Sequence, residues 1–214
     1  MYIALVDYCN MSCEHCCMNA KKRGGKQMSM EVYKRALELC RLNDEYLTLG
    51  GGEPTLHDEF WAFFGLALSA TDNLFIATNG SQTDTAIRLA QVAQRGVCSV
   101  ALSQDIWHDP IDPSVVRAFT HNKRNGTYDS TDCREIRNVE RNVMKQGRAI
   151  KNNLWSTTGC ACETIMVTVN GDIKACGCLR APVIGNVFDG YEEPNFNEDL
   201  EHCYKNIRKG KKHD

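Results

Sequence analysis

The sequence lacks any apolar run long enough to cross a bilayer, so no transmembrane helix is expected within its 214 residues. Its opening stretch, MYIALVDYC, also lacks the basic region and the length of a secretory signal peptide. Neither sign of charge dominates, because the formal net charge is only −2. We therefore expect a cytoplasmic protein with no membrane partner. A hydrophobic content of 43% predicts one globular core with room for a small appendage.

Cysteine is the residue type in marked excess, with twelve in the chain. Four of them lie within residues 9–17 and four within residues 160–178, while the rest are isolated. A disulfide framework suits small secreted domains, and it does not fit a chain without an export signal. Clustered, reduced cysteines in the cytoplasm instead indicate metal binding or redox chemistry.

Short apolar runs alternate with helical patterns through the first half of the chain. Strands are predicted at residues 2–6, 46–49, 74–78 and 97–103. Helices are predicted between them at residues 30–42, 58–70 and 83–95, and Ser29 is a good N-cap for the first. Four β-α units in succession favour a parallel sheet with helical crossovers.

The pattern weakens after residue 103. Residues 106–132 are predicted to be mostly loop, with a helix near 113–121, and residues 133–146 are predicted to be helical. Residues 163–175 predict a β-hairpin that turns at Asn170–Gly171. A complete eight-unit barrel needs about 250 residues. We therefore expect an α/β fold in which a partial (βα) barrel, open on one side, fills residues 1–150 and a small hairpin-and-helix extension follows in 151–214.

Cys9, Cys13 and Cys16 form a C-x3-C-x2-C pattern directly after the first predicted strand. A loop at this place can wrap three thiolates around one corner of a cubane iron–sulfur cluster, which leaves the fourth iron open for chemistry. The adjoining His15 and Cys17 allow an alternative interpretation as a zinc knuckle.

Glycine-rich and polar motifs end the next three predicted strands. The second strand ends in GGGEP from Gly50 to Pro54, the third in Thr78-Asn79-Gly80 and the fourth in Ser103-Gln104-Asp105. Parallel α/β sheets bind ligands at the carboxyl ends of their strands. Each motif alone is also common turn chemistry, so only their shared position favours a binding site.

These four motifs, in this order at four successive strand ends, resemble the radical S-adenosylmethionine (SAM) superfamily over residues 1 to about 108. The resemblance implies a [4Fe–4S] cluster on the three cysteines, with SAM on the open iron. An electron from the cluster would then cleave SAM to a 5′-deoxyadenosyl radical that takes hydrogen from the substrate. It further implies an electron donor such as flavodoxin or ferredoxin. It implies SAM contacts from Gly51, Gly52, Glu53, Thr78, Asn79, Ser103 and Asp105.

Two C-x-C pairs, Cys160 with Cys162 and Cys176 with Cys178, flank the predicted hairpin. A turn at Asn170–Gly171 would place Val169 opposite Asp172 and bring both pairs to one end, which predicts a second metal site. This segment resembles the opening of the twitch and SPASM extensions of radical SAM enzymes, which implies an auxiliary [4Fe–4S] cluster. A structural zinc ion, or Cys203 in place of one ligand, are the alternatives.

Five basic residues recur at spacings of 3, 4, 4 and 3 around the last predicted helix. They are Arg134, Arg137, Arg141, Lys145 and Arg148. On a helix they would share one face, either as a solvated surface or as a binding surface for an anionic substrate. Our main hypothesis is a radical SAM enzyme that modifies or rearranges such a substrate, for example a nucleotide or a DNA base. The alternatives are a peptide-modifying or protein-activating radical SAM enzyme and a non-enzymatic zinc-binding module.

Overall fold

The computed structural model describes residues 1–43, 46–121, 130–140, 143–156 and 164–194. The strands in these ranges are β1 (Tyr2–Val6), β2 (Leu47–Gly51), β3 (Leu74–Thr78), β4 (Ser99–Ser103), β5 (Arg134–Arg137), β6 (Met166–Val167), β7 (Asp172–Lys174), β8 (Val183–Asn186) and β9 (Gly190–Tyr191). The α-helices are α1 (Met30–Asn43), α2 (Phe60–Ala70), α3 (Thr83–Gln94), α4 (Pro113–Phe119) and α5 (Gly147–Lys151). A 3₁₀ turn at Pro54–Leu56 precedes α2.

All these strands lie in one sheet, in the order β5-β4-β3-β2-β1-β6-β7-β8-β9. The first five pair in parallel with their neighbours, and β6 pairs in parallel with the other side of β1. The last three continue the sheet as an antiparallel meander. Because β5 and β9 stand at the two ends, the sheet is not closed. The predicted α/β fold with an open partial barrel is confirmed.

Apolar periodicity explains the first half of the fold. Ile3 and Leu5 of β1 are fully buried, and α1 turns Tyr33 and Leu37 toward the same core. The Ser29 hydroxyl accepts a hydrogen bond from the Val32 amide at 3.3 Å, as an N-cap does. Across the described ranges, the helices are all too short or too polar to pass through a bilayer.

The helix predicted over residues 133–146 is wrong, because Arg134–Arg137 form β5 beside β4. The spacing of the basic residues coincides with a helical period, but the edge of β4 offers backbone partners that only a strand can use. Arg134 is buried, and its guanidinium donates to the Asp132 carboxylate and to the carbonyl oxygen of Ala118. The basic residues therefore share no helical face; Arg148 belongs to α5, and Arg141 lies outside the described residues.

The predicted hairpin forms, but its pairing differs by one residue. Val167 faces Ile173, and the Thr168 amide donates to the carbonyl oxygen of Asp172 at 2.9 Å, so the loop contains three residues rather than two. Gly171 ends this loop at φ +87°, a conformation that favours glycine. Since β7 stops at Lys174, Cys176 and Cys178 follow the strand in a loop instead of continuing the ladder.

Candidate functional site

The loop after β1 holds Cys9, Cys13 and Cys16 at the carboxyl edge of the parallel strands. Cys13 is buried, and the other two are half-buried. The Cys16 amide donates to the carbonyl oxygen of Cys13 at 3.2 Å, and the Met11 amide donates to the Cys9 sulfur at 3.4 Å. The Cys9 amide donates to the carbonyl oxygen of Lys21 at 2.8 Å, which closes the loop. The loop is thus held in shape by its own backbone.

The three thiols are close enough to act on one another's charge. Burial, followed by the charges of Cys9 and Cys16, raises the pKa of the Cys13 thiol to about 12. Burial also raises the pKa of Cys9, and the charges of Glu53 and Cys16 add to the effect. The thiolate forms of Cys9 and Cys13 are therefore favoured by positive charge from a ligand, which a metal centre supplies. This donor set fits a [4Fe–4S] cluster with one open iron.

Gly51 at the end of β2 and Gly52 after it lie close to the backbone of β1 and of the cysteine loop. A Cβ atom at Gly52 would overlap the carbonyl oxygen of Tyr8, and one at Gly51, whose φ is +124°, would overlap that of Val6. In this close approach the Gly52 amide donates to Val6 at 2.9 Å and the Glu53 amide donates to Tyr8 at 3.0 Å. Gly51 therefore lies closest to the backbone at the end of β1, and Gly52 lies closest to the backbone at the start of the cysteine loop.

Glu53 joins the ends of β2 and β3 through a buried carboxylate that is 1% exposed. Its Oε1 accepts from the Thr55 hydroxyl at 2.6 Å, the Thr55 amide at 3.3 Å and the Thr78 hydroxyl at 2.7 Å. Its Oε2 accepts from the Asn79 amide at 2.7 Å. Burial raises the pKa of this carboxyl, and the four hydrogen bonds oppose the rise.

Asn79 connects the end of β3 to the cysteine loop. Its Nδ2 donates to the Cys9 sulfur at 3.4 Å and to the Asn10 side-chain oxygen at 3.1 Å. The Ser81 hydroxyl donates to the same Asn10 oxygen at 3.2 Å. Hydrogen bonds to a metal-binding thiolate orient it and tune the metal.

Comparison with known sequences gives the family of the chain. Residues 3–136 match the family model of the Radical SAM superfamily, which is well over half of the chain. The chain belongs to the radical SAM superfamily. This is a superfamily of enzymes whose cofactors are SAM and a [4Fe–4S] cluster.

Its sequence relatives include the mycofactocin maturase MftC of Mycolicibacterium smegmatis, 31% identical over 108 residues, which are 50% of this chain and 27% of MftC. MftC of Mycobacterium tuberculosis is 34% identical over 85 residues, 38% of this chain and 22% of the relative. The matched stretch therefore spans about a quarter of these curated relatives.

Two solved structures share the fold. The crystal structure of BtrN with AdoMet and 2-DOIA aligns with a TM-score of 0.60 at 16% identity, over 97% of this chain and 84% of BtrN. Streptococcus suis SuiB bound to the precursor peptide SuiA aligns with a TM-score of 0.55 at 13% identity, over 97% of this chain and 66% of SuiB. At these low identities, the two structures show only that the chain shares their fold.

Helix α5 contacts the cysteine loop through hydrogen bonds from Arg148, a contact that the sequence did not predict. The Arg148 side chain donates to the carbonyl oxygens of Cys13 and Ala20, both at 2.8 Å, and its amide donates to that of Cys16 at 3.0 Å. The preceding Gly147 is needed because a Cβ there would overlap the carbonyl oxygen of Cys16. Cys13 and Arg148 are 135 residues apart, so no local pattern reveals this clamp.

The end of β4 places Ser103 and Asp105 differently. Ser103 is half-buried and pairs with Arg137 in the ladder to β5. The Asp105 side chain is fully buried; its Oδ1 lies 2.8 Å from His108 Nδ1, and its Oδ2 lies 3.7 Å from His15 Nε2. Burial lowers the pKa of His15, and the Asp105 carboxylate opposes this. The grouping of His15 with these two residues was not expected from the sequence.

The second predicted metal site is described only in part. Cys176 and Cys178 are each 2% exposed and pack with Ala181. The Lys174 ammonium donates to the carbonyl oxygen of Cys178 at 2.7 Å, and burial lowers the pKa of this lysine. The other predicted ligands, Cys160 and Cys162, and the alternative Cys203 lie outside the described residues. A four-thiol site here stays a prediction.

Proposed function

We propose that this radical SAM enzyme modifies a peptide, and that Cys9, Cys13 and Cys16 hold its [4Fe–4S] cluster. The observation that carries the cluster assignment is the three-cysteine loop, held at the carboxyl edge of the sheet by Asn79 and Arg148. When bound, the cluster and SAM together supply the means to take a hydrogen atom from the substrate.

The surrounding residues divide into positioning and binding groups. The polar side chains of Glu53 and Thr78 already have hydrogen-bond partners within the protein. The Thr78 hydroxyl donates to Glu53 and accepts from the Gly80 amide at 3.1 Å. We assign both to positioning Asn79, which donates to the Cys9 sulfur and favours its thiolate form. The backbone of Gly51 and Gly52 and the hydroxyl of Ser103 remain the candidates for direct SAM contact.

We further propose an auxiliary [4Fe–4S] cluster on Cys160, Cys162, Cys176 and Cys178. Two observations support it. Cys176 and Cys178 are buried and follow β7 along the chain. β7 belongs to the same sheet as β1, the strand that leads into the cysteine loop. A Lys174 ammonium beside this loop also favours thiolates over thiols.

A peptide is favoured over a nucleotide or DNA substrate by the relatives and by β5. MftC is named a maturase, and SuiB is seen with a precursor peptide. The hypothesis of an anionic substrate depended on a basic helical face, which does not form because part of that segment is the edge strand β5. Glu135, Ile136 and Arg137 of β5 are exposed. No other described strand covers its outer side, so an extended peptide can pair there and reach the mouth of the barrel.

The cluster assignment is tested with protein reconstituted and assayed without oxygen. Cys9→Ala, Cys13→Ala and Cys16→Ala should each abolish the formation of 5′-deoxyadenosine from SAM under reducing conditions, because three thiolates are needed to hold the cubane. Cys17→Ala is the matched control and should retain it. A colourless, zinc-loaded wild type that does not cleave SAM would instead favour the zinc-binding module.

The substrate class is tested by adding candidate substrates to the reconstituted enzyme. Small peptides encoded next to the gene should gain a SAM-dependent mass change, while a thymine-containing oligonucleotide should stay unmodified. Modification of the oligonucleotide, with every neighbouring peptide unchanged, would contradict the peptide proposal. Product masses are read by mass spectrometry, with the Cys13→Ala protein as the blank.

A further inference from the structure

A strongly basic segment, KKRGGK at residues 21–26, follows the cysteine loop, and we call it the basic loop. Its four basic residues are Lys21, Lys22, Arg23 and Lys26, and it contains no acidic residue. All four are exposed. Within the described residues, Lys21 is ion-paired to Asp7, whereas Lys22 and Arg23 have no ion-pair partner. The basic loop is therefore a compact patch of positive charge that faces solvent.

Asp7 holds the basic loop in a fixed shape. Its Oδ2 accepts from the Lys21 ammonium at 2.7 Å, and its Oδ1 accepts from the Lys26 amide at 2.6 Å. The backbone of Asp7 also pairs with both ends of the loop. The Lys21 amide donates to the Asp7 carbonyl oxygen at 3.1 Å, and the Asp7 amide donates to that of Lys26 at 3.2 Å. The loop therefore presents its remaining cations from a preorganised backbone.

The basic loop begins beside the cluster site and lies on the outer side of the barrel. The Cys9 amide donates to the carbonyl oxygen of Lys21 at 2.8 Å, so the loop starts in contact with a predicted cluster ligand. Ile3 and Leu5 point toward the face of the sheet that α1 covers, and Asp7 continues their alternation. Helices form the outer layer of such a barrel. A protein bound to the basic loop is therefore next to the cluster without entering the barrel.

We propose that the basic loop is the docking surface for a small acidic electron-transfer protein, an inference that rests on the cluster assignment above. One electron passes from the reduced carrier to the oxidised cluster, which leaves the carrier oxidised by one electron and the cluster reduced by one. Because the rate of this transfer falls steeply with distance, the carrier has to dock beside the cysteine loop. A positive patch there attracts an acidic protein and orients it.

The position of the basic loop favours an electron carrier over an acidic substrate peptide. The substrate has to reach the inner face of the barrel, where the Tyr2 hydroxyl accepts from the Gly51 amide at 2.6 Å. Asp7 holds the basic loop on the opposite, helix-covered side. A peptide bound there would have to pass around the cysteine loop to reach the radical, whereas a carrier only has to pass an electron through it.

The test compares two electron sources in the reconstituted enzyme. Dithionite is a small reductant that needs no docking surface, whereas the acidic carriers flavodoxin and ferredoxin have to dock. In Lys22→Glu/Arg23→Glu, the concentration of the better carrier that gives half-maximal 5′-deoxyadenosine formation should rise at least ~10-fold at low salt. Formation driven by dithionite should equal that of the wild type, because neither exposed side chain holds the cluster or SAM.

The matched control is Arg95→Glu/Arg117→Glu, which makes the same change of net charge. Both arginines are exposed near the ends of α3 and α4, at the amino edge of the sheet and away from the cysteine loop. This variant should use the carrier and dithionite as the wild type does. Binding of the oxidised carrier, measured by titration calorimetry across a salt series, is a readout independent of turnover. The loop variant should bind weakly, with a flatter salt dependence than the wild type and the control.

Unchanged use of the carrier by the loop variant, or an equal loss in both variants, overturns the proposal. So does a wild type that neither flavodoxin nor ferredoxin can reduce although dithionite can. A loop variant that accepts electrons from the carrier but no longer modifies the peptide assigns the basic loop to the substrate instead. If dithionite also fails with the wild type, the cluster assignment is wrong and this proposal falls with it.

Discussion

At the scale of single residues, Glu53 connects the end of β2 to the end of β3. Its carboxylate accepts four hydrogen bonds from Thr55, Thr78 and Asn79, and it is almost completely buried. A carboxylate can accept all of these bonds, whereas an amide offers one oxygen and two N–H donors. The Glu53 carboxylate is therefore hydrogen-bonded by neighbouring protein groups instead of by solvent.

We predict that Glu53→Gln destabilises the protein by about 1–3 kcal/mol, because the new amide N–H group must face buried donors. The measurement is urea unfolding of the cluster-free protein, which separates stability from cofactor loss. Glu59→Gln is the matched control, since Glu59 is exposed and makes no capping hydrogen bond at the start of α2. Equal unfolding midpoints for the two variants would show that the network adds nothing to stability.

At the scale of elements, close backbone contact decides where glycine is required. The turn after β2 passes so near the cysteine loop that Gly52 has no room for a side chain. Gly65, in the middle of α2, is exposed and has nothing within 4 Å of a hypothetical Cβ. Substituting alanine at the two glycines should therefore change the stability of the protein in opposite directions.

We predict that Gly52→Ala destabilises the protein by about 3 kcal/mol or more, at the upper end for overpacking. Gly65→Ala should instead stabilise it by about 0.5–1 kcal/mol, because alanine loses less backbone entropy in a helix. Urea unfolding of both variants, compared at a constant denaturant slope, measures the difference. Destabilisation by both substitutions to a similar degree would contradict the packing argument at Gly52.

At the scale of the whole molecule, one sheet leads both into the cysteine loop and into the described pair Cys176 and Cys178. β6 pairs with β1, the strand that leads into the cysteine loop, and β7 beside it leads into Cys176 and Cys178. The extension is therefore attached to the barrel through its backbone, and an auxiliary cluster would be part of the same body as the SAM site.

We predict about eight irons per chain in the reconstituted wild type, as two cubanes of four. A variant with Cys9, Cys13 and Cys16 all changed to Ala should keep about half of this iron on the C-terminal cysteines. Cys133→Ser is the control and should keep all of it, because the Cys133 thiol donates to the Thr131 carbonyl oxygen within its own loop. A triple variant that holds zinc but no iron would make the second site structural.

The amino-acid sequence alone is enough to predict β1 to β4 and α1 to α3, because the periods of strands and helices and the turn chemistry at strand ends are local. It predicted β3 to the residue and the hairpin turn to within one position. The residue that the prediction left out of the loop is Val169, which joins Asn170 and Gly171 in a three-residue loop that ends with the left-handed backbone of Gly171. Local patterns were sufficient wherever the deciding contacts lie within a few residues.

Tertiary contacts set β5, the Arg148 clamp and the meeting of His15 with Asp105. Arg134–Arg137 form a strand because the edge of β4 needs partners, which overrides a spacing that also suits a helix. Arg148 reaches the cysteine loop across 135 residues, and the His15 ring reaches Asp105 from a different strand end. Such contacts depend on how parallel strands gather their carboxyl ends at one edge, and no stretch of sequence encodes that alone.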